Sequence, residues 1–212
     1  AQYSQLIARR VREQNVYCEV KPCSISPAEI EKIAPIGIIL SGGPQSVYES
    51  VSLRVDPALF ALGIPVLGIC YGCQLMAYSL GGTVAAATEA TAREYGKTLT
   101  EFDTHSAIFQ DLPASSVTWM SHGDYISRVP DGFTVTAKTA VCPTAAMACP
   151  EKRLYGVQFH PEVQHTVEGS EMLRRFLYTV CGASGDWTMA DYRQTAIRSI
   201  REKVCLLYTS PS

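Results

Sequence analysis

Apolar positions recur with two periods along the chain. Over 2–13, Leu6, Ile7 and Val11 lie at helical spacing with Arg10, which predicts an amphipathic helix whose arginines form a solvated face. Positions 16–20 alternate as a strand, Pro27 opens a short helix through Ile33, and 36–40 is an apolar run of strand length. Asp56-Pro57 caps a helix to Leu62, and 64–69 is another buried strand that ends at Cys70. Residues 74–80 are apolar at helical spacing and Gly81-Gly82 stops them. This alternation predicts an α/β fold with a doubly wound, mixed but mainly parallel sheet.

Beyond Gly82 the pattern changes to short strand-like pieces over 83–85, 95–102, 117–121, 133–138, 145–148 and 153–159. Turn signals at Leu112-Pro113, Pro130-Asp-Gly132 and Cys142-Pro143 separate them, so this half reads as antiparallel or mixed sheet. A helix over about 167–180 carries Met172, Leu173, Phe176, Leu177 and Val180 on one side. The stretch 182–185 is a short flexible joint, and 188–204 reads as one more helix.

Composition then bounds the function. With 47% apolar residues the chain can bury a full core, and a formal net charge of -2 leaves no footprint for nucleic acid or anionic lipid. The longest nearly uninterrupted apolar run, 58–70, is broken by Pro65 and is too short to span a bilayer. Arg9-Arg10 is followed by polar residues rather than the apolar core of a signal peptide. Eight cysteines are scattered at 18, 23, 70, 73, 142, 149, 181 and 205, which fits reduced thiols and a cytoplasmic protein better than a disulfide scaffold.

The residue chemistry concentrates at Gly68-Ile-Cys-Tyr-Gly-Cys-Gln74. A strand runs in and a helix leaves at Cys70, between two glycines that permit a sharp turn, so the thiol is lifted above the sheet and faces a helix N-terminus. Cys70 is therefore a nucleophile candidate. His160-Pro161-Glu162 ends a predicted strand; Pro161 keeps His160 extended, and the i, i+2 spacing lets the Glu162 carboxylate reach the imidazole. Ser41-Gly-Gly-Pro44 also follows a strand and belongs beside Cys70, as half of an oxyanion hole, a phosphate loop or an ordinary turn. Cys70-Tyr-Gly-Cys73 is formally a C-x-x-C, so a redox dithiol is a rival reading; zinc is disfavoured because no second close Cys/His pair is present. Ser121-His-Gly-Asp124 offers groups for recognising a zwitterion, or is a plain turn, and His105 and His165 have no evident partners.

Taken together, Ser41-Gly-Gly-Pro-Gln-Ser-Val47, Gly68 to Gln74, Arg93-Glu-Tyr-Gly-Lys97, Met120-Ser-His-Gly-Asp124, Gly156-Val-Gln-Phe-His-Pro-Glu162 and Gly185-Asp-Trp-Thr-Met189 resemble the class I (triad) glutamine amidotransferases, and most closely the amidotransferase domains of GMP synthases. The resemblance implies a flavodoxin-like fold and a glutaminase with Cys70, His160 and Glu162 as catalytic triad. It implies an oxyanion hole from Gly43 and Tyr71, and glutamine held by Gln74, Ser121, Gly123 and Asp124. It implies no cofactor or metal in this domain, with ATP and magnesium in a synthetase (ATP pyrophosphatase) domain of the same chain that receives the ammonia, and a homodimer at full length.

The expected organisation is amidotransferase over 1–183, linker and first synthetase helix over 184–204, and a tail over 205–212 unlike the family. The family's first, internal strand is missing before Gln2, which is expected to leave backbone groups unpaired on its neighbours and the fragment poorly folded. Position 73 is more usually methionine or another apolar residue. The alternatives are a stand-alone γ-glutamyl peptidase and, from another class, a C-x-x-C redox or regulatory module.

Overall fold

The computed structural model describes residues 3–43, 46–48, 55–87, 93–191 and 204–208. The first half comprises α1 (Ser4–Glu13), β1 (Cys18–Pro22), α2 (Pro27–Ile33), β2 (Gly37–Leu40), a 3-10 turn (Pro57–Ala61), β3 (Val66–Ile69) and α3 (Tyr71–Ser79). Then follow β4 (Thr83–Ala86), β5 (Glu94–Phe102), β6 (Ser115–His122), β7 (Asp124–Arg128), β8 (Thr134–Lys138), β9 (Ala146–Cys149) and β10 (Leu154–Val157). The chain continues with α4 (Gly169–Arg175), which runs into a π-helical turn (Phe176–Val180), and β11 (Val204–Tyr208).

Local chemistry explains several boundaries. Ser26 accepts from the Glu29 N–H while the Glu29 carboxylate accepts from the Ser26 N–H, a complete capping box that starts α2 ahead of Pro27. Asp56 caps the next segment through the Ala58 N–H, but Pro57 and the left-handed Gly63 bracket so few residues that a 3-10 turn forms instead of the expected α-helix. Helix α3 begins at Tyr71, three residues earlier than the apolar spacing predicts, because Cys70 already turns the backbone.

Nine strands form one sheet in the order β1-β11-β2-β3-β10-β9-β8-β5-β6, and β4 pairs with β7 in a separate antiparallel ribbon. The pairs from β1 to β10 are parallel, and those from β10 to β6 are antiparallel. This is the mixed α/β sheet that the periodicity predicts, its parallel pairs joining β1, β11, β2, β3 and β10. Alternation splits the core: Ile39, Leu67, Ile69, Tyr155 and Val157 pack with Ile7 and Val11 of α1 and Leu173 of α4. On the other face Ile38, Leu40, Val66 and Leu154 pack with Ile30 of α2 and Leu75 and Met76 of α3.

The end of the sheet near β1 differs from expectation. The position between β1 and β2, expected to leave backbone groups unpaired, is filled by β11, parallel to both neighbours, with Leu206 opposite Val20 on β1 and opposite Ile39 on β2. Two strands that present facing rows of N–H and C=O groups require a partner between them, and Val-Cys-Leu-Leu-Tyr is an apolar segment suited to a buried parallel position. The expected helix over 188–204 is helical at 189–191 and extended at Val204, while 192–203 lie outside the described residues. No helix among the described residues is long and apolar enough to cross a membrane.

Candidate active site

Cys70 sits between β3 and α3 with φ 54° and ψ -111°, a left-handed backbone that non-glycine residues seldom adopt. The strain is held from both sides. The Cys70 N–H donates to the Val157 carbonyl at 2.8 Å, and its own carbonyl accepts from the N–H groups of Cys73 and Gln74. The flanking glycines act through close approach: a Cβ on Gly72 would lie 2.1 Å from the Leu40 oxygen, and one on Gly68 would lie 2.7 Å from the Gly72 carbonyl. Any side chain at either position would push the turn off the end of β2.

The histidine arrives from the end of β10. His160 Nδ1–H donates to Glu162 Oε1 at 2.8 Å, and both side chains are buried. Its peptide is clipped to β6 at Trp119: the His160 N–H donates to the Trp119 carbonyl, and Thr166 Oγ1 accepts from the Trp119 N–H while donating to the His160 carbonyl at 2.6 Å. Tyr3 packs against the ring at 5.1 Å between centroids, and Arg10 Nε donates to the Glu162 carbonyl at 2.9 Å. Burial works against a charged ring here, but hydrogen bonds to Cys70 and Glu162 and the negative charge of both hold the His160 pKa up at about 10. With Nδ1 committed to Glu162, Nε2 is the nitrogen left for the sulfur. The arrangement sets the cysteine sulfur against an imidazole that a buried carboxylate orients.

A cavity of about 350 Å³ opens over the sulfur, lined by Gly43, Ser46, Cys70, Tyr71, Gln74, Tyr95, Ser121, His122, Gly123 and Asp124. The sequence-predicted groups Gly43, Tyr71, Gln74, Ser121, Gly123 and Asp124 thus converge on one space with Cys70. Gly42 packs on the Tyr71 N–H, where a Cβ would lie 3.2 Å away, so the second strand-end loop abuts the elbow. Pro44 of that loop lies outside the described residues.

Reading the sequence alone missed two contributors. Gln158 is fully buried and its Nε2 donates to Cys70 Sγ at 3.7 Å, while its Oε1 accepts from Gln74 Nε2 at 3.0 Å. It lies two residues before His160, so the spacing rule that pairs His160 with Glu162 could have flagged it. His122 is the other: its Nδ1–H donates to the Asp124 carbonyl at 2.9 Å, and its Nε2 faces Glu94 Oε2 at 3.5 Å.

Among the described residues, Glu94, His122 and Cys142 are grouped closely enough to share a metal ion, with ligand atoms within 4.8 Å of one another. The thiol of this group is otherwise engaged. Cys142 donates to the Thr144 carbonyl, and burial pushes its pKa up to about 12, so it stays protonated beside Glu94. Cys73, the second cysteine of the C-x-x-C, is fully buried beneath Gly156, and burial pushes its thiol up strongly. A dithiol couple needs a ready thiolate and access, and Cys73 has neither. His105 and His165 do have partners: His105 pairs with Asp103 at 3.0 Å, and His165 packs on Trp119 with centroids 4.8 Å apart.

Comparison with known proteins identifies the family. The glutamine amidotransferase class-I family model matches residues 1–180. Glutamine-hydrolysing GMP synthases from two Clostridium botulinum strains are 53% and 55% identical over 203 residues, 96% of this chain. The chain spans 39% of the length of those relatives. The crystal structure of a protein from Thermoplasma acidophilum described as a GMP synthase subunit superposes with a TM-score of 0.73 at 29% identity, covering 93% of this chain and 94% of that one. A Thermotoga maritima glutamine amidotransferase, at 21% identity and a TM-score of 0.55, shares the fold over 68% of this chain. The chain belongs to the class-I glutamine amidotransferase family.

Proposed function

We propose that the chain is the glutaminase component of a GMP synthase. One observation carries the chemistry: a strained cysteine at a strand-to-helix turn, partnered by a buried His160–Glu162 pair 2.8 Å apart, at the floor of a polar cavity. Cys70 Sγ attacks the side-chain carbonyl carbon of glutamine. Backbone N–H groups of Gly43 and Tyr71 receive the oxyanion, each worth roughly 3 kcal/mol by analogy with other acyl-transfer sites. As the C–N bond breaks, His160 gives its proton to the departing ammonia and leaves a γ-glutamyl thioester. The neutral imidazole then takes a proton from water, which attacks the thioester; glutamate leaves and the proton returns the site to its starting state. Glu162 keeps Nδ1–H of His160 pointed away from the sulfur throughout. Gln74, Ser121, Gly123 and Asp124 grip the substrate, with Asp124 suited to the α-ammonium.

The ammonia passes to a synthetase domain of the same protein, which uses ATP and magnesium to activate XMP for amination, in a cytoplasmic homodimer. High identity to GMP synthases over nearly the whole chain supports this destination, as does the span of only 39% of those relatives. Glutamate release by the chain, supplied with glutamine and in parallel with γ-glutamyl dipeptides, tests the reading. Preference for glutamine, lost in Cys70→Ala, is expected. Faster turnover of the dipeptides would favour a peptidase, and glutamate release that survives Cys70→Ala would overturn the mechanism.

A further inference from the structure

The polar groups beneath the cavity form a line in which every donor is forced. It starts at the Asp124 carbonyl, which can only accept and which Gln74 Nε2 contacts at 2.9 Å. Gln74 must therefore turn its NH2 group, not its oxygen, towards this wall. The second N–H of that group meets Gln158 at 3.0 Å, so Gln158 must present its oxygen to Gln74. The NH2 group of Gln158 is then left to face Cys70 Sγ at 3.7 Å. Reversing either amide would set oxygen against oxygen at Asp124 or NH2 against NH2 between the glutamines. The His122 Nδ1–H donates to the same Asp124 carbonyl and helps fix it.

Within the glutaminase reading above, we propose that Gln158 is a further catalytic residue: an N–H donor to the Cys70 thiolate, held in the donating orientation by the Asp124 carbonyl acting through Gln74. Its value lies in selectivity for one state of the sulfur. The thiol form has an acceptor for its proton in the Ser121 carbonyl, 3.7 Å from Sγ. The thiolate loses that contact and gains from the Gln158 N–H. Because Gln158 is fully buried and anchored by its own N–H to the Ala145 carbonyl at 2.8 Å, the donor is in place before substrate arrives. The titratable groups around the sulfur are His160 from the end of β10, Cys73 from its own helix, and Tyr71, Tyr95, His122 and Asp124 around the cavity. Gln158 is uncharged at every pH, so its removal should shift the sulfur without adding a new titration.

The test is the rate of iodoacetamide alkylation of Cys70 across pH 5 to 9 in the wild-type chain, Gln158→Leu and Gln158→Glu, with Cys70→Ala as the background for other thiols. The Leu variant removes the donor; the isosteric Glu variant still accepts from Gln74 but presents only oxygen to the sulfur. Both profiles are expected to move to higher pH, with about a tenfold loss of alkylation rate at pH 7 and a similar loss in kcat. Wild-type profiles in both folded variants would overturn the proposal. If neither variant folds, the side-chain amide signals of Gln158 in wild type decide: they should shift as Cys70 titrates or is alkylated, and unresponsive signals would overturn it. Alkylation does not require glutamine turnover, so a wild-type chain that releases no glutamate yet shows the Gln158-dependent shift would remove the glutaminase reading and leave the donor in place.

Discussion

The elbow around Cys70 and the β1–β11–β2 end of the sheet are both built on parallel strands, yet they are held by opposite means. At the elbow, contacts are side-chain specific: Gly72 fits against Leu40, Gln158 reaches the sulfur, and His160 is tied to Glu162 and Trp119. At β11 the described restraint is the backbone ladder, with five residues of β1 on one side and four of β2 on the other. A ladder accepts many sequences, whereas the elbow accepts few. Substitutions should therefore separate the two regions, one losing chemistry while keeping the fold and the other losing the fold first.

The largest effect is expected at the elbow. Cys70→Ala should lower glutamate release by a factor of about 10,000 or more, with far-UV spectrum and melting temperature nearly unchanged. A melting temperature that fell steeply would mean that the elbow, too, is chiefly structural. At the other end, Leu206→Pro removes one N–H from the middle of an internal strand and should cost about 3 kcal/mol or more, read by urea titration. Amide exchange should rise along β1 and β2 together. If the variant is as stable as wild type, β11 does not complete the sheet.

The same contrast explains what was legible in the sequence. Cys70 between two glycines and the His160, Glu162 spacing are local patterns, and the residues that make them are the ones that touch. The identity of the first half as alternating helix and buried strand was legible for the same reason. The place of β11 was not, because an apolar pentapeptide says nothing about which slot it will fill, and the demand for it arises from β1 and β2, well over a hundred residues earlier. Gln158 was hidden differently: its amide has meaning only through Gln74 and Asp124, which come from other elements. Strand β7 was lost behind Gly123, where a turn explained the local composition well enough.

An intermediate effect should come from the clip that joins the two halves of the site. Thr166→Val leaves the Trp119 N–H and the His160 carbonyl without their shared hydroxyl, at a cost of about 2 kcal/mol in stability. Glutaminase activity should fall further than that loss of folded protein explains, because the peptide that aims the imidazole is freed. Equal losses in both measurements would assign Thr166 to the fold alone.

The sharpest test of the comparison is in the titration of His160. Its pKa of about 10 lies above the unperturbed value of 6.5, because contacts with Cys70 and Glu162 outweigh burial. A raised imidazole pKa stabilises the fold fully below the unfolded value, and that contribution is lost as pH rises through the folded one. The stability difference between wild type and His160→Gln should therefore be constant below about pH 6.5 and shrink between there and about pH 10. In Cys70→Ala the sulfur's share of the support is gone while burial and Glu162 remain, so the imidazole midpoint, followed by its ring proton resonances, should fall and the window should narrow from its alkaline side. An unchanged midpoint would mean that Glu162 alone holds the proton. The resting site would then pair His160 with its carboxylate rather than with the nucleophile.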